Sequence, residues 1–127
     1  RALLEGVAYS LKDCYRTIEK MGLKVSEFIL IGGGAKSPLW SSIVCDVFNA
    51  PVKCPSCSDA SFGSALLAGV GTGVFKDEIA AVRQCLKLDR ELSPNANRAA
   101  FYAKQFKHYR SIHDALAKCY GDINLST

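Results

Sequence analysis

Three consecutive glycines, Gly32, Gly33 and Gly34, are the residues of this chain best suited to chemistry with a phosphorylated or nucleotide-like ligand. Without side chains they let a ligand lie against bare main chain, and they allow positive φ. Ala35 and Lys36 follow, then Ser37 at the position of a helix N-cap and Pro38 at that of a first helical residue. Such a turn directs backbone N–H groups at the ligand, with the positive end of a helix dipole behind them. The pattern is neither of the common phosphate motifs. Ser37 stands where G-x-G-x-x-G needs its last glycine, and no Gly-Lys-Ser/Thr occurs. By themselves the glycines equally fit a tight strand-to-helix turn that only lets two elements pack closely.

Other reactive residues assemble less readily. Cys54 and Cys57 are spaced as C-x-x-C, but no second cysteine or histidine pair completes a zinc set, and the pair does not open a helix as a thioredoxin-type motif would. Cys14, Cys45, Cys85 and Cys119 fall in apolar, helix-like patterns, where a free thiol acts as a small hydrophobe. Reduced cysteines and a cytoplasmic location follow as the expectation. Asp13 and Asp46 lie on helices without a partner constellation, Asp59 reads as a cap and Asp77 opens a surface helix, so none is assigned catalysis. His108 and His113 share the last helix with no relay around them.

The elements that would position the glycines are legible in the pattern. Residues 1–22 predict a helix burying Leu3, Leu4, Val7, Ala8, Leu11, Cys14, Tyr15 and Ile18, with Glu5, Lys12, Asp13, Arg16 and Lys20 outward and Gly22 ending it. After Ser26 and Glu27, residues 28–31 predict a strand, and 38–48 a helix burying Leu39, Ile43, Val44 and Val47. A second strand at 52–54, beyond Pro51, makes a βαβ unit with parallel strands. Helices are expected at 60–75, capped by Ser58 or Asp59 and rich in small residues that favour close packing, at 77–86, and at 97–120. A fraying tail is expected over 121–127.

With 127 residues, 49% of them hydrophobic and 22% charged, the chain suits one globular domain. Its sole methionine is Met21, and Arg1 falls inside an amphipathic pattern, so the chain reads as a piece of a longer protein. The net charge of +4 owes much to Arg98, Lys104, Lys107, Arg110 and Lys118, which face only Asp114. Tyr102, Phe106 and Tyr109 sit at the spacing of a buried helical stripe. This argues for a solvated basic face and against a nucleic-acid surface. The uncharged segment 60–75 is too short and too glycine-rich to span a membrane.

Three blocks taken together resemble the C-terminal part of the FGGY carbohydrate kinases: Arg1-Ala-Leu-Leu-Glu-Gly-Val-Ala-Tyr-Ser-Leu-Lys-Asp-Cys14, Ile31-Gly-Gly-Gly-Ala-Lys-Ser-Pro-Leu-Trp40 and Ala60-Ser-Phe-Gly-Ser-Ala65. The second block is closest to the xylulose kinases of that family, and the resemblance runs from Arg1 to about Tyr120. It implies an α/β fold of the actin-like (ribonuclease H-like) ATPase class. Residues 1–127 would be most of one domain, partial, lacking its first strands, helix-rich and with a short parallel βαβ unit. It also implies ATP-dependent phosphorylation of a sugar hydroxyl, with D-xylulose the expected substrate. Gly32, Gly33, Gly34, Ala35 and Ser37 would be the nucleotide-binding residues, the backbone of 33–35 passing the ribose and α-phosphate. Some relatives use an asparagine toward adenine where Ser37 and Pro38 stand here, which leaves the contact to the base open. Gly63 matches a glycine of the following helix.

The aspartate base, the β- and γ-phosphate loops and the Mg²⁺ ligands would lie upstream of Arg1, so no catalytic or metal-binding residue is assigned within the chain, and alone it should be inactive. Expected partners are ATP and a sugar, with neither nucleic acid nor membrane. The sheet edge bared by the absent strands invites pairing between copies, a homo-oligomer. The residues alone also admit a non-catalytic actin-like nucleotide- or partner-binding module, a Rossmann-type dinucleotide domain, and a small zinc or redox protein on Cys54 and Cys57.

Overall fold

The computed structural model describes residues 1–23, 25, 27–57 and 59–123, with Lys118 and residues 121–123 described by backbone alone. Helix α1 (Ala2–Lys20) leads to strand β1 (Phe28–Ile29), a 3-10 turn (Gly33–Lys36), helix α2 (Pro38–Phe48) and strand β2 (Val52–Pro55). Helices α3 (Ala60–Gly71) and α4 (Glu78–Cys85), strand β3 (Leu88–Leu92) and helix α5 (Ala96–Ile123) complete the chain.

Local signals set most boundaries. Gly22, at φ +81°, donates its N–H to the Glu19 carbonyl at 2.9 Å and ends α1, as its lack of a side chain predicts. Asn49, in the left-handed region, ends α2. The Asp77 carboxylate accepts the Ala80 N–H at 2.7 Å and starts α4. Asp59 occupies the N-cap position of α3 without a side-chain cap bond, and Ser58, the other expected cap, lies outside the described residues, as does Ser26. α3 stops at Gly71, short of the expected residue 75, because the chain turns through Thr72 and a positive-φ Gly73. α5 extends through Ile123, beyond the expected 120, so 121–123 continue the helix.

The sheet has the order β1-β2-β3. β1 and β2 are parallel, Phe28 opposite Val52, as the βαβ reading requires. β1 is shorter than expected, although Leu30 still donates to the Lys53 carbonyl at 2.8 Å. β3 is an unexpected antiparallel partner of β2, with Val52 opposite Leu92 and Cys54 opposite Arg90. Its Asp89-Arg90-Glu91 centre hides the strand, and only the alternation of Leu88, Arg90 and Leu92 betrays it.

α2 is the central element, with Ser41 and 43–47 all buried. Ile43, Val47, Val52 and Cys54 meet Ala8, Tyr9, Tyr102 and Phe106 in one core. Burying each large apolar side chain stabilises by about 1.5–3 kcal/mol. Phe28, Phe48 and Tyr15 form an aromatic triangle with ring centroids 4.9, 5.0 and 5.8 Å apart, tying β1 to both helices.

Two expected faces are corrected. Leu3, Val7, Leu11, Cys14 and Ile18 are exposed, Leu3 at 88%, and Tyr9 is buried instead. α1 turns polar residues toward its neighbours. Lys12 donates to the Val47 carbonyl, and Asp13 pairs with Arg110 at 2.5 Å. The apolar periodicity is present, but α2 and α5 cover only one flank of it. Leu39 on α2 is likewise exposed, and so is Cys119 on α5.

The basic face of α5 is also not simply solvated. Arg98 pairs with Asp46, and Arg110 with Asp13 and Asp114. Asp13 and Asp46 therefore have partners that the sequence pattern hid. Tyr102 and Phe106 are buried and Tyr109 half-buried, as their spacing predicts.

Candidate nucleotide-binding turn

β1 delivers the chain into Gly32, whose φ of +84° only glycine adopts without strain. The turn then closes on itself. Ala35 donates its N–H to the Gly32 carbonyl at 3.1 Å, and Ser37 donates to the Gly34 carbonyl at 3.0 Å. Two of the N–H groups behind the turn are thus used internally, fewer being turned outward than a bare helix start would offer. Ser37 is the N-cap of α2, its Oγ accepting the Trp40 N–H at 3.3 Å, with Pro38 in the first turn.

The three glycines are not equivalent. A Cβ on Gly33 would meet nothing within 4 Å, so its face is open, and Gly33 and Gly34 are both exposed. A Cβ on Gly34 would lie 2.9 Å from Cδ1 and Nε1 of Trp40, whose indole packs directly against that residue. Ala35 is buried at 4% exposure. Of the expected binding residues, Gly33 offers its main chain freely, Gly34 offers one side of it, and Ala35 faces inward.

Sequence reasoning missed the residues that hold the turn. The Ala35 carbonyl accepts from Nη2 of Arg90 on β3. Ser41 Oγ lies 3.1 Å from that carbonyl and 2.9 Å from the Ser37 carbonyl, so its one proton is shared between them. The Cys54 thiol in turn lies 3.8 Å from Ser41 Oγ. An arginine at an inward-facing strand position, flanked by Leu88 and Leu92, was the available signal for Arg90.

Of the remaining candidates, only Cys54 reaches the turn's support, through Ser41. Cys54 is buried and Cys57 exposed, and all six cysteines are free. Burial pushes the Cys45 thiol up to about 11, so it stays protonated at neutral pH. No group of three or more His, Cys, Asp or Glu side chains gathers to hold a metal among the described residues. His108 and His113 are exposed, and His113 has Asp114 at 3.5 Å. A separate open groove of about 560 Å³ lies between α1 and α5, where Lys12, Arg16, Lys107 and Arg110 are offset by Glu19 and Asp114. No helix among the described residues is long and apolar enough to cross a membrane.

Residues 1–72 match the FGGY family of carbohydrate kinases, C-terminal domain. The chain is 32% identical over 124 residues to a xylulose kinase of Staphylococcus epidermidis, covering 97% of this chain and 25% of that protein. It is 34% identical over 115 residues to an autoinducer-2 kinase of Yersinia enterocolitica, covering 89% of this chain and 22% of that one. The crystal structure of a ligand-bound xylulose kinase from Lactobacillus acidophilus superposes with a TM-score of 0.86 at 28% identity, over 97% of this chain and 25% of that one. The fold is therefore that of the actin-like ATPases, and the chain spans about a quarter of the length of these relatives. With its glycine turn and helix start inside the matched segment, the chain belongs to the FGGY family of carbohydrate kinases, matching its C-terminal domain.

Proposed function

We propose that the whole protein carrying this domain is a cytoplasmic sugar kinase that moves the γ-phosphoryl group of ATP to a sugar hydroxyl, and that this domain supplies the adenosine side of the site. The observation that carries this reading is the open face of Gly33 at the mouth of a capped helix, within the family-matched segment. There the main chain of Gly33 and Gly34 can lie against the ribose and α-phosphate, with Gly32, Ala35 and Ser37 shaping the turn. The positive end of the α2 dipole favours the negative charge. D-Xylulose is the first candidate acceptor, because relatives named as xylulose kinases match in both sequence and structure.

ATP would supply the phosphoryl group, and Mg²⁺ would offset the negative charge of the phosphates. In this reading the magnesium ligands and the base lie in the remainder of the protein, as the resemblance to the family implies. This chain's own work is to hold the nucleoside.

Two measurements test the reading. The whole protein should release ADP from ATP in the presence of D-xylulose, whereas the 127-residue chain alone should release none above background. Amides of residues 32–37 should exchange more slowly when ATP is added to the whole protein. Turnover by the short chain, or nucleotide protection confined to another segment, would overturn it. The name of the autoinducer-2 kinase relative makes that compound the second acceptor to assay.

A further inference from the structure

We propose that Arg90 is a positioning residue for the nucleotide: from β3 it holds the Ala35 carbonyl and so fixes the main chain that Gly33 and Gly34 present. This rests on the adenosine-side reading above. A turn of three glycines has more backbone freedom than any other sequence, and ordering it on binding costs affinity. Backbone bonds from Ala35 and Ser37 close the 3-10 turn at its two ends from within. Side chains from other elements hold it from outside as well.

Arg90 and Ser41 meet on the carbonyl of Ala35, the buried residue of the turn. The register of the sheet sets Arg90 opposite Cys54, and the Cys54 thiol approaches Ser41 Oγ at 3.8 Å, so the three residues form one support beneath Ala35. Asp89 Oδ2, 3.2 Å from Arg90 Nε, steadies the guanidinium from the other side. On the turn's flank, the Trp40 indole fills the space beside Gly34. Arg90 comes from 55 residues away and lies outside the family-matched segment, so the matched residues 1–72 do not by themselves determine the set of their own turn.

The test uses the whole protein with ATP and D-xylulose. Arg90→Met keeps the length and packing of the stem but removes the donor. It should raise KM for ATP about tenfold, the loss expected for one hydrogen bond from a charged group. KM for the sugar and kcat should stay near wild type. Amides of residues 33–37 should exchange faster without nucleotide and regain protection when ATP is added. Arg90→Lys restores a charged donor without the planar fork and should recover most of the loss. If Arg90→Met does not fold, Arg90→Lys decides, a small rise in KM for ATP alone supporting the inference and no rise overturning it. An unchanged KM for ATP in Arg90→Met, or a parallel rise for both substrates with a lowered melting temperature, also overturns it. Gly33→Val separates the two readings. If it weakens ATP binding while Arg90→Met does not, only the role of Arg90 falls. If Gly33→Val leaves ATP binding intact, the adenosine-side reading fails first.

Discussion

Arg98 Nε donates to Oδ2 of Asp46 at 2.5 Å, joining the first turn of α5 to the buried end of α2. Asp46 is 2% exposed, and its other oxygen accepts the Asn95 N–H at 2.8 Å. Asn95 also caps α5, its Oδ1 accepting from the Arg98 N–H at 3.1 Å. One buried carboxylate therefore anchors both the cap residue and the first turn of the longest helix. The Arg98 side chain is half exposed and can return to water, but Asp46 cannot.

That asymmetry predicts the outcome of breaking the pair. Arg98→Ala should lower the urea midpoint clearly, because it strands the buried Asp46 charge. Adding Asp46→Asn to Arg98→Ala should restore part of the loss, since a neutral amide still accepts from Asn95. A double variant no more stable than Arg98→Ala would argue that the carboxylate charge is not the source of the cost.

The glycines of the turn should separate by folding as well as by binding. Gly34→Ala drives a Cβ to 2.9 Å from the Trp40 ring and should lower stability by about 1–3 kcal/mol, the cost of overpacking. Gly33→Ala meets nothing and should melt within a degree or two of wild type, on the order of the small effects seen at unobstructed sites. Thermal denaturation monitored by circular dichroism distinguishes them, and equal melting temperatures would refute the contact with Trp40.

Alkaline pH should weaken the fold through Cys45. Its thiol titrates near 9 when unfolded but is pushed up to about 11 by burial, so folding favours the protonated form. The contribution is complete below pH 9 and is lost as pH rises toward 11. Cys45→Ala should lower stability at every pH yet flatten the slope between pH 9 and 10, read from urea midpoints at successive pH values. Above pH 10 a residual slope should remain, because Tyr9 is raised by burial from 10 to about 12.

Uncovered apolar surface predicts association of the short chain. Leu3, Val7, Leu11 and Ile18 form an exposed stripe on α1, and Ile29 and Ile31 (63% exposed) stand bare at the β1 edge. Sedimentation velocity of the 127-residue chain should give a coefficient that rises with concentration. Val7→Lys with Ile31→Lys should suppress the rise, and a wild-type boundary independent of concentration would contradict the expectation.

What the sequence determined by itself was local. Gly22, Ser37 with Pro38, and Asp77 act on backbone groups within a few residues, so these helix ends were legible without any fold. The strand, glycine turn and helix around Gly32 followed for the same reason, and the strand-helix-strand order then made the two strands parallel, without fixing their register. The tertiary structure alone decided which flank of α1 is covered, because an apolar stripe records that burial is favourable and not which neighbour provides it. It also decided the pairings of Arg98 with Asp46 and Arg110 with Asp13, each spanning 52 or 97 residues. β3 and its hold on Ala35 belong there too. A charged pentapeptide becomes a strand only when β2 supplies its hydrogen bonds, and Arg90 finds its acceptor only once the sheet has formed.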